Sequence, residues 1–467
     1  MGRVMQFLKT AGVFFVGNVF TKLVSFFLLP LYTSKINPSS FGSYNLVVSV
    51  LNVAIPLCFL SIWDSVFRFS FDYNEDEDKY GVFNTGFILM LFGSIVFVVG
   101  TFLAKLIYDF QYPVLVCLYG IMTGLQYYYT VIARSLKDNV LFVVSGCINS
   151  AVSMLLNVFL IVVFKMGVES FYLSFIVGVI IQIMIIEYKK GFLRRFSVNM
   201  TKNSLREYVK FSVPVTVSAI SNWLLSGLTQ VFIATNLGSY YNGLYGVASK
   251  FASMLILGVG VFQFAWNEMA YDLSQDKGRK VYYKKSISEI LRFSIIGVSL
   301  LIILVKIVYP VMVDDQYNES LEIIPILLIG AMSNSYAGFL GTLYLAERKS
   351  ISLLYTTLSA GLINVILSVV IIPSYGFIGA VSSLCMALVF FVLIRLIYVK
   401  RQIGIAPSFY SYKPILLLFI SVIIFYNVDM GILLYLSFFL LIAFACLFLK
   451  STILSFKSHY ISRSMQL

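Results

Sequence analysis

A lysine lies in the middle of the first long apolar segment of the sequence. Lys22 is about twelve residues from either end of that segment, which corresponds to roughly 18 Å of helix rise. If the segment crosses a bilayer, the side chain is too short to reach either surface. A cation at this depth costs about 2.5 to 3.5 kcal/mol on insertion scales and usually faces a bundle interior or a water-filled cavity. Lys22 is therefore predicted to face a cavity, the alternative being a structural lysine paired with a neighbouring helix.

Polar residues accompany this lysine on one helical face. Residues that follow a given position by three, four, seven and fourteen residues lie on the same helical face as that position. Counted from Asn18, this face is formed by Asn18, Thr21, Lys22, Ser25 and Tyr32. The seventh apolar segment carries a similar face, formed by Ser218, Ser221, Asn222, Ser226, Thr229 and Gln230. We predict that these two faces line a cavity, through the side chains of Asn18, Thr21, Ser25, Asn222, Ser226 and Gln230.

Two further cations are candidate binding residues. Lys250 lies about nine residues inside the eighth apolar segment, deep enough that complete snorkelling is not expected. We interpret it as a cavity-facing cation, the alternative being a partial snorkel. Arg68 follows Asp64 by four residues and shares its helical face. Arg68 is a candidate for meeting an anionic head group at the cytoplasmic mouth, unless it simply pairs with Asp64.

A tryptophan followed by an acidic residue ends the second and the eighth apolar segments. The two sites are Trp63–Asp64 and Trp266–Glu268. Asp64 and Glu268 are candidates for binding a coupling cation, either H⁺ or Na⁺. Interfacial tryptophan beside a hydrated carboxylate is also an ordinary membrane anchor, and that alternative stays open.

Catalytic and metal-binding constellations are absent from the sequence. The acidic stretches FDYNEDEDKYG and VDDQYNES resemble hydrated loops and lack the partners that catalysis or metal binding requires. His459, the only histidine, lies in the polar tail, and no Walker A pattern is present. All five cysteines lie inside apolar runs without metal-type spacing. We predict no catalytic residue, no metal site, no cofactor and no ATP hydrolysis.

The composition shows which solvent surrounds these residues. Hydrophobic residues make up 60% and charged residues 12% of the chain, and its mean hydropathy is +0.91. No water-soluble domain can bury that much apolar surface. The net charge of +13 comes from short basic clusters between apolar runs, not from a basic domain, so we predict no nucleic-acid partner. The chain is predicted to be an integral membrane protein.

Apolar runs of about 20 residues are long enough to cross a bilayer as helices. We identify fourteen spans, at approximately residues 10–34, 41–66, 82–107, 112–133, 140–164, 168–187, 211–236, 241–270, 290–312, 321–345, 352–372, 376–398, 412–428 and 431–449. Threading the chain from an inside N-terminus places 28 of the 34 basic residues on the cytoplasmic side and four outside. The positive-inside rule therefore predicts that both termini are cytoplasmic.

An internal repeat divides the chain into two halves. At an offset of 201 residues, Gly42 and Tyr44 align with Gly243 and Tyr245, and at 207 the residues around Asn157 align with those around Asn364. We predict two parallel six-helix lobes, 1–188 and 211–400, joined by a basic connector at 189–210, with two added helices and a tail at 401–467. Parallel repeats place the substrate path in a central cavity between the lobes.

The sequence resembles the polysaccharide-unit flippases of the multidrug/oligosaccharidyl-lipid/polysaccharide exporter superfamily. The stretches that carry the resemblance are GNVFTKLVSFFLLPLYTSKINPSSFGSYNLV, SVFRF, NLGSYYNGLYGVASKF, YLAERKSIS and IIPSYGFIGAVSSL, in this order. The resemblance implies alternating access and cationic side chains that bind a lipid-linked pyrophosphate, a role that transfers to Lys22, Lys250 and Arg68. Family cavities often hold arginines, whereas the deep cations here are lysines, which lack arginine's bidentate geometry.

The expected function is movement of an undecaprenyl-pyrophosphate-linked oligosaccharide across a bacterial cytoplasmic membrane, for capsule or O-antigen synthesis. Other polysaccharide-assembly proteins are further candidate partners. The alternatives within the superfamily are an ion-coupled multidrug exporter and a peptidoglycan-precursor flippase. From a different class, a membrane glycan polymerase or glycosyltransferase would need charged residues on a large outer loop. The longest predicted outer connection is short, and its only charged residues are Asp314, Asp315 and Glu319.

Overall fold

The computed structural model describes residues 26–73, 75–197, 202–273, 278–347, 349–429, 431–444 and 446. All regular elements in these ranges are helical, as predicted. The chain divides into two compact units, residues 1–243 and residues 244–467. Described helices lying wholly within unit 1 are Leu29–Lys35 (α1), Pro38–Phe59 (α2), Ile62–Ser70 (α3), Asp76–Ile107 (α4), Pro113–Ser135 (α5), Asn139–Val162 (α6), Glu169–Lys190 (α7), Lys202–Ser226 (α8) and Leu228–Leu237 (α9).

The next helix begins within the last residues of unit 1 and continues through the start of unit 2. It is Ser239–Asp272 (α10). The later helices are Arg279–Met312 (α11), Ser320–Ala346 (α12), Ser350–Ile403 (α13), Ile415–Asn427 (α14) and Ile432–Phe444 (α15). The six-helix lobes and the connector at 189–210 stay a prediction.

Ten of the described helices are long and apolar enough to cross a membrane, or eleven if α8 and α9 form one bent span. The chain is therefore a multi-pass membrane protein, while the number fourteen stays a prediction. Helix α13 is 54 residues long, about 80 Å, which is far more than a bilayer needs. Gly376 breaks it with φ 55° and ψ −131°, at the first residue of the predicted span 376–398, which follows the predicted span 352–372.

The second predicted span, 41–66, is wrong as a continuous helix. Helix α2 ends at Phe59, and Leu60 and Ser61 both adopt left-handed backbone angles before α3 begins. The Ser61 N–H donates to the Pro56 carbonyl at 3.1 Å and the Leu60 N–H to Leu57 at 3.4 Å. These are the two hydrogen bonds of a Schellman end. Hydropathy did not reveal this end because Leu60 occupies the position where glycine is usual.

The seventh predicted span, 211–236, is also interrupted. Helices α8 and α9 meet at Gly227 with a bend of 47°. A β-carbon on Gly227 would lie 2.3 Å from the Trp223 ring, so only glycine fits there. Ser49 of α2 fixes the bend, because its hydroxyl donates to the Gly227 carbonyl and its own carbonyl accepts from the Trp223 indole, at 2.9 and 2.7 Å.

The first acidic stretch is partly helical instead of forming a hydrated loop. Asp76, Glu77 and Asp78 form the first turn of α4, where carboxylates interact favourably with the helix dipole. The following Lys79 is 3% exposed. Its ammonium group donates to Asp76 at 2.8 Å and to the Ser135 carbonyl at 3.3 Å, which links α4 to the end of α5.

A buried amide network holds the centre of unit 1 together. The Gln182 side-chain oxygen on α7 accepts from Gln126 on α5 and from Asn149 on α6, at 2.9 and 2.8 Å. Gly178 allows α6 and α7 to approach closely, because a β-carbon there would lie 2.1 Å from the Ser153 hydroxyl. The helices that surround any site in unit 1 are thus fixed by polar bonds and by backbone proximity.

In unit 2, a lysine joins α11 to α14. The Lys306 ammonium group donates to the carbonyls of Phe425 and Val428, the latter at 2.6 Å, at the end of α14. It also lies 5.4 Å from the centre of the Phe425 ring. A cation that satisfies the last carbonyls of a helix complements its dipole. This contact connects the additional C-terminal part of the chain to the rest of unit 2.

Candidate functional site

The structure does not describe every predicted site residue. Lys22 and its neighbours Asn18, Thr21 and Ser25 lie outside the described residues, and Glu268 lies in α10 with its side chain outside the described part. Asp64, Arg68, Asn222, Ser226 and Gln230 belong to unit 1, whereas Lys250 belongs to unit 2.

The predicted polar face of the seventh span is divided by the bend at Gly227. Asn222 and Ser226 are exposed on α8, where the Asn222 amide donates to the Ser218 carbonyl and the Ser226 hydroxyl to the Asn222 carbonyl, at 3.1 and 3.2 Å. Gln230 is half-buried on α9, beyond the bend. Both α8 side chains bond within their own helix, so turning them toward a ligand requires no rearrangement of another helix.

Arg68 pairs with Asp72 and not with Asp64. The Nη1 atom of Arg68 lies 2.7 Å from the Asp72 carboxylate, and both side chains are about half exposed, at 53% and 51%. A pair this exposed contributes little to stability. An anionic group can therefore compete with Asp72 for the guanidinium group of Arg68.

Asp64 interacts electrostatically with Arg134 at the end of α5, a partner that the sequence reasoning missed. The Arg134 guanidinium group lies over the Phe67 ring at 4.5 Å from its centre. Trp63 is 9% exposed and lies 4.9 Å from the Tyr127 ring, so it is packed inside unit 1. The sequence signal for it is the arginine directly after the fourth predicted span.

In the corresponding motif of unit 2, the described side chains are those of Trp266 and Asn267. Trp266 donates from its indole to the Phe339 carbonyl at 2.9 Å and is buried, as Trp63 is. Asn267, next to Trp266 as Asp64 is next to Trp63, accepts from Thr342 and Gln263 at 2.6 and 2.8 Å. Among the described side chains, the residue directly after the tryptophan is thus an acid in unit 1 and a hydrogen-bonded amide in unit 2.

A buried arginine in unit 2 was also missed. Arg395 on α13 is 4% exposed and donates to the Ala337 carbonyl of α12 and to the hydroxyls of Thr356 and Thr357, at 3.3 and 3.1 Å for the threonines. The Phe391 ring centre lies 4.1 Å from the guanidinium carbon. These partners give Arg395 a structural role, which is to join α12 to both segments of α13.

Two repeat-related glycines bring α2 and the start of α10 together within unit 1. A β-carbon on Gly42 would lie 1.8 Å from the Ser239 carbonyl oxygen, and one on Gly243 would lie 2.0 Å from that of Pro38. Both positions therefore require glycine because the helix backbones touch. The repeat had aligned these two glycines from the sequence alone.

Polar side chains secure the same contact. The Asn242 amide donates to the Gly42 carbonyl at 2.7 Å, and the hydroxyls of Ser43 and Ser239 lie 3.1 Å apart. Lys250 follows Gly243 by seven residues, about two helical turns, and is half-buried. The helix that carries this candidate cation is thus anchored at its start by its contact with α2.

A family model described as polysaccharide biosynthesis protein matches residues 7–266, more than half of the 467-residue chain. The chain belongs to this polysaccharide biosynthesis protein family. It is a family of flippases in the multidrug/oligosaccharidyl-lipid/polysaccharide exporter superfamily. The matched residues include Lys22, Arg68 and Lys250 but end before Glu268. No curated protein sequence matches the chain.

Solved structures are similar in fold to this member of the family. The lipid II flippase MurJ in an inward closed conformation has a TM-score of 0.71 and 14% identity, over 95% of this chain and 99% of that chain. A multidrug resistance MATE family transporter has a TM-score of 0.69 in its inward-facing conformation, with 12% identity over 82% of this chain and 94% of that chain. An outward-facing MATE transporter has a TM-score of 0.56, with 11% identity over 85% and 95% of the two chains. The chain is a transporter of this superfamily with the fold that these proteins share.

Proposed function

We propose that the protein moves undecaprenyl-pyrophosphate-linked oligosaccharides across a bacterial cytoplasmic membrane for surface polysaccharide synthesis. The observation that carries the proposal is the polysaccharide biosynthesis match, which extends over the segments that hold all three candidate cations. No covalent bond is made or broken. Moving a sugar chain and a diphosphate through hydrocarbon unaided is prohibitive, so the protein must offer the head group a polar path while the tail stays in lipid.

The proposed roles follow from charge. Lys22 and Lys250 bind the pyrophosphate within the membrane, and Arg68 meets it at the cytoplasmic mouth by exchanging Asp72 for phosphate oxygens. Asn18, Thr21, Ser25, Asn222, Ser226 and Gln230 offer hydrogen bonds to the sugars. Asp64 and Glu268 are the proposed sites for a coupling H⁺ or Na⁺. Alternating access exposes this path first to the cytoplasm and then to the outside.

The proposed orientation places both termini in the cytoplasm, because 28 of the 34 basic residues then lie on that side. A reporter fused at the C-terminus and one inserted in the 189–210 connector should both report the cytoplasm. An external signal from either reporter contradicts this orientation.

The second candidate is a peptidoglycan-precursor flippase, which the likeness to the lipid II flippase MurJ favours. The two candidates differ in the head group carried. Both carry a lipid-linked diphosphate, so the candidate cations serve either substrate equally well. Only a transport measurement with both lipids distinguishes them.

The experiment uses purified protein in proteoliposomes that hold a fluorescent undecaprenyl-pyrophosphate-linked oligosaccharide, with fluorescent lipid II in parallel vesicles. Accessibility to a membrane-impermeant quencher measures movement between leaflets. Because the sugar is unknown, the experiment uses a panel of oligosaccharides that differ in length and composition. We expect at least one of these lipid-linked oligosaccharides to move between the leaflets. Movement of lipid II alone supports the second candidate, and movement of neither lipid contradicts the flippase proposal.

A further inference from the structure

We propose that unit 1 contains a binding site for one hydrocarbon chain of a membrane lipid. The site is a cavity of about 530 Å³ between α2 and the second half of α4, bordered also by residues of α5, α7 and α9. Its volume is more than three times the roughly 150 Å³ of an apolar cavity that stays dry and binds benzene. An apolar space of this size is large enough to hold an apolar molecule from the surrounding bilayer.

The shape of the cavity suits an extended chain. Its lining runs along α2 from Ser43 to Cys58, which is about 22 Å of helix rise, and along α4 from Phe97 to beyond Ala104. An alkyl or isoprenoid chain that lies along α2 could contact this lining over its whole length.

The chemistry of the lining excludes a polar ligand from most of the cavity. Side chains that line its length are mostly apolar: Leu46, Val47, Val50, Leu51, Ala54, Phe97, Val116, Val168 and Val231. The hydroxyls of Thr101 and Thr235 donate at 2.8 Å to carbonyls one turn earlier in their own helices. Both hydroxyl hydrogens are therefore engaged within their own helices, and the apolar side chains along this stretch offer a buried sugar or phosphate no hydrogen bonds.

Polar groups gather at one end of the cavity. Asp109, Gln111 and Tyr112, in the loop between α4 and α5, border it there. Asp109 is almost fully exposed and pairs with Lys105. A long apolar slot with polar residues at one end matches an amphiphile whose head group stays in the interface.

Small residues leave the cavity open along its side. Gly100 and Ala104 lie one turn apart on α4, both line the cavity and both are exposed. A β-carbon on Gly100 would meet no atom within 4 Å. The exposed Val50 borders the same opening from α2. A chain can therefore enter sideways from the bilayer without passing the polar end.

The test uses the full-length protein in lipid nanodiscs with two photoactivatable probes. One is a phosphatidylcholine with a diazirine on its acyl chain, and the other is a polyprenyl phosphate with a diazirine on its isoprenoid chain. Mass spectrometry then locates the crosslinks. We expect them to concentrate on peptides of α2 and the second half of α4, at least fivefold above other exposed apolar helices such as α14.

Variants make the test specific. Gly100→Phe places a ring at the opening, where the added β-carbon meets no atom within 4 Å, and we expect it to reduce crosslinking of α2 at least fivefold. Val99→Phe is the matched control, because Val99 is the adjacent residue, is 52% exposed and does not line the cavity. We expect crosslinking in this control to equal that of the wild type.

Competition by unlabelled lipid identifies the source of the chain. If excess polyprenyl phosphate is the one competitor that removes the signal, the cavity binds the tail of the carried lipid. If phosphatidylcholine is the one competitor that removes it, the cavity binds a bilayer lipid. Uniform crosslinking of all exposed apolar helices overturns the proposal. The proposal is also overturned if the Gly100→Phe protein fails to accumulate in the membrane while the Val99→Phe protein accumulates. That result would mean that protein atoms already occupy the space. The site is independent of the transport proposal, since no outcome requires the protein to move a substrate.

Discussion

Gly42 and Gly243 touch so closely that a β-carbon on either residue would overlap the backbone of the other's helix. The two glycines are 201 residues apart and align in the internal repeat. The two glycines therefore meet within unit 1. Any movement that separates α2 from the start of α10 must break this contact first.

We predict that Gly42→Val and Gly243→Val each prevent the contact, because the added side chain needs space that backbone atoms occupy. The measurement is disulfide formation by the pair Ser43→Cys and Ser239→Cys, whose hydroxyl oxygens lie 3.1 Å apart in the wild type. The pair should crosslink readily under mild oxidation and several-fold more slowly when either valine is present. Gly81→Val is the control, since a β-carbon at Gly81 meets nothing within 4 Å. Equal crosslinking in all variants would contradict the close packing.

Lys22→Ala should abolish surface-glycan export while membrane abundance is kept, because removing a mid-membrane cation relieves an insertion cost. Lys22→Arg should retain much of the activity, since the proposed interaction depends mainly on charge. Lys35→Ala, at the end of α1, is the matched control and should export normally. Normal export by Lys22→Ala, or loss of both export and abundance, would count against a role in binding phosphate.

Asp64 and Arg134 should behave as a coupled pair. Arg134→Gln removes the electrostatic attraction of the guanidinium group for the half-buried Asp64 carboxylate, which keeps its interaction with Trp63, and should lower stability by up to about 1 kcal/mol. Adding Asp64→Asn should recover most of that loss, which a double-mutant cycle on thermal unfolding measures. If Asp64 instead binds the coupling ion, Asp64→Asn alone should remove ion-dependent transport, and the stability cycle should show no coupling.

Lys137→Gly should raise stability by up to about 1 kcal/mol. Lys137 is exposed and has φ 56°, a left-handed conformation that costs an L-residue about 1 to 2 kcal/mol, while glycine gives back part of this in chain entropy. Lys189→Gly, in the last turn of α7, is the opposite control and should lower stability, because its backbone is helical. A decrease in the thermal midpoint of Lys137→Gly would contradict this account.

The stability of the fold should depend on pH through the carboxyl group of Asp138. Lys190 binds its carboxylate at 2.7 Å and holds the pKa of Asp138 below its ordinary value of 3.8, and the Leu141 N–H at 3.0 Å acts in the same direction. A lowered carboxyl pKa stabilises the fold above the ordinary pKa, and the contribution is lost as pH falls through the folded value. The wild type should therefore exceed Asp138→Asn in thermal midpoint at neutral pH and lose that advantage below about pH 4. A constant difference down to pH 2 would show that the ion pair is not responsible.

Hydropathy predicted the approximate positions of most helices because a bilayer demands apolar runs of a fixed length. It did not predict the end at Leu60, since that residue is as apolar as those around it and only its backbone angles differ. It did not relate Asp64 to Arg134 either, because the two residues are 70 positions apart and come near enough to interact electrostatically only once α3 packs beside α5. Contacts between distant segments depend on how the helices pack against each other. The spacing of residues within one helix carries no information about that packing.

The tryptophans illustrate the same limit. Trp63 and Trp266 lie at the ends of predicted spans, where interfacial anchoring is the common pattern, yet both are buried. By contrast, the glycine alignment was informative, because a position that only glycine can occupy marks a place where the backbone itself is in close contact. Repeat-related glycines were therefore a better guide to a helix contact than the aromatic residues.

The bond from Lys306 to the end of α14 has a consequence for biosynthesis. Its acceptor carbonyls belong to residues 119 and 122 positions later in the chain. The ribosome therefore inserts α11 before either acceptor exists, and the lysine must stay solvated at the membrane surface in the meantime. Release of Lys306 from water onto Phe425 and Val428 is thus a late step of assembly, and a chain truncated before residue 425 cannot complete it.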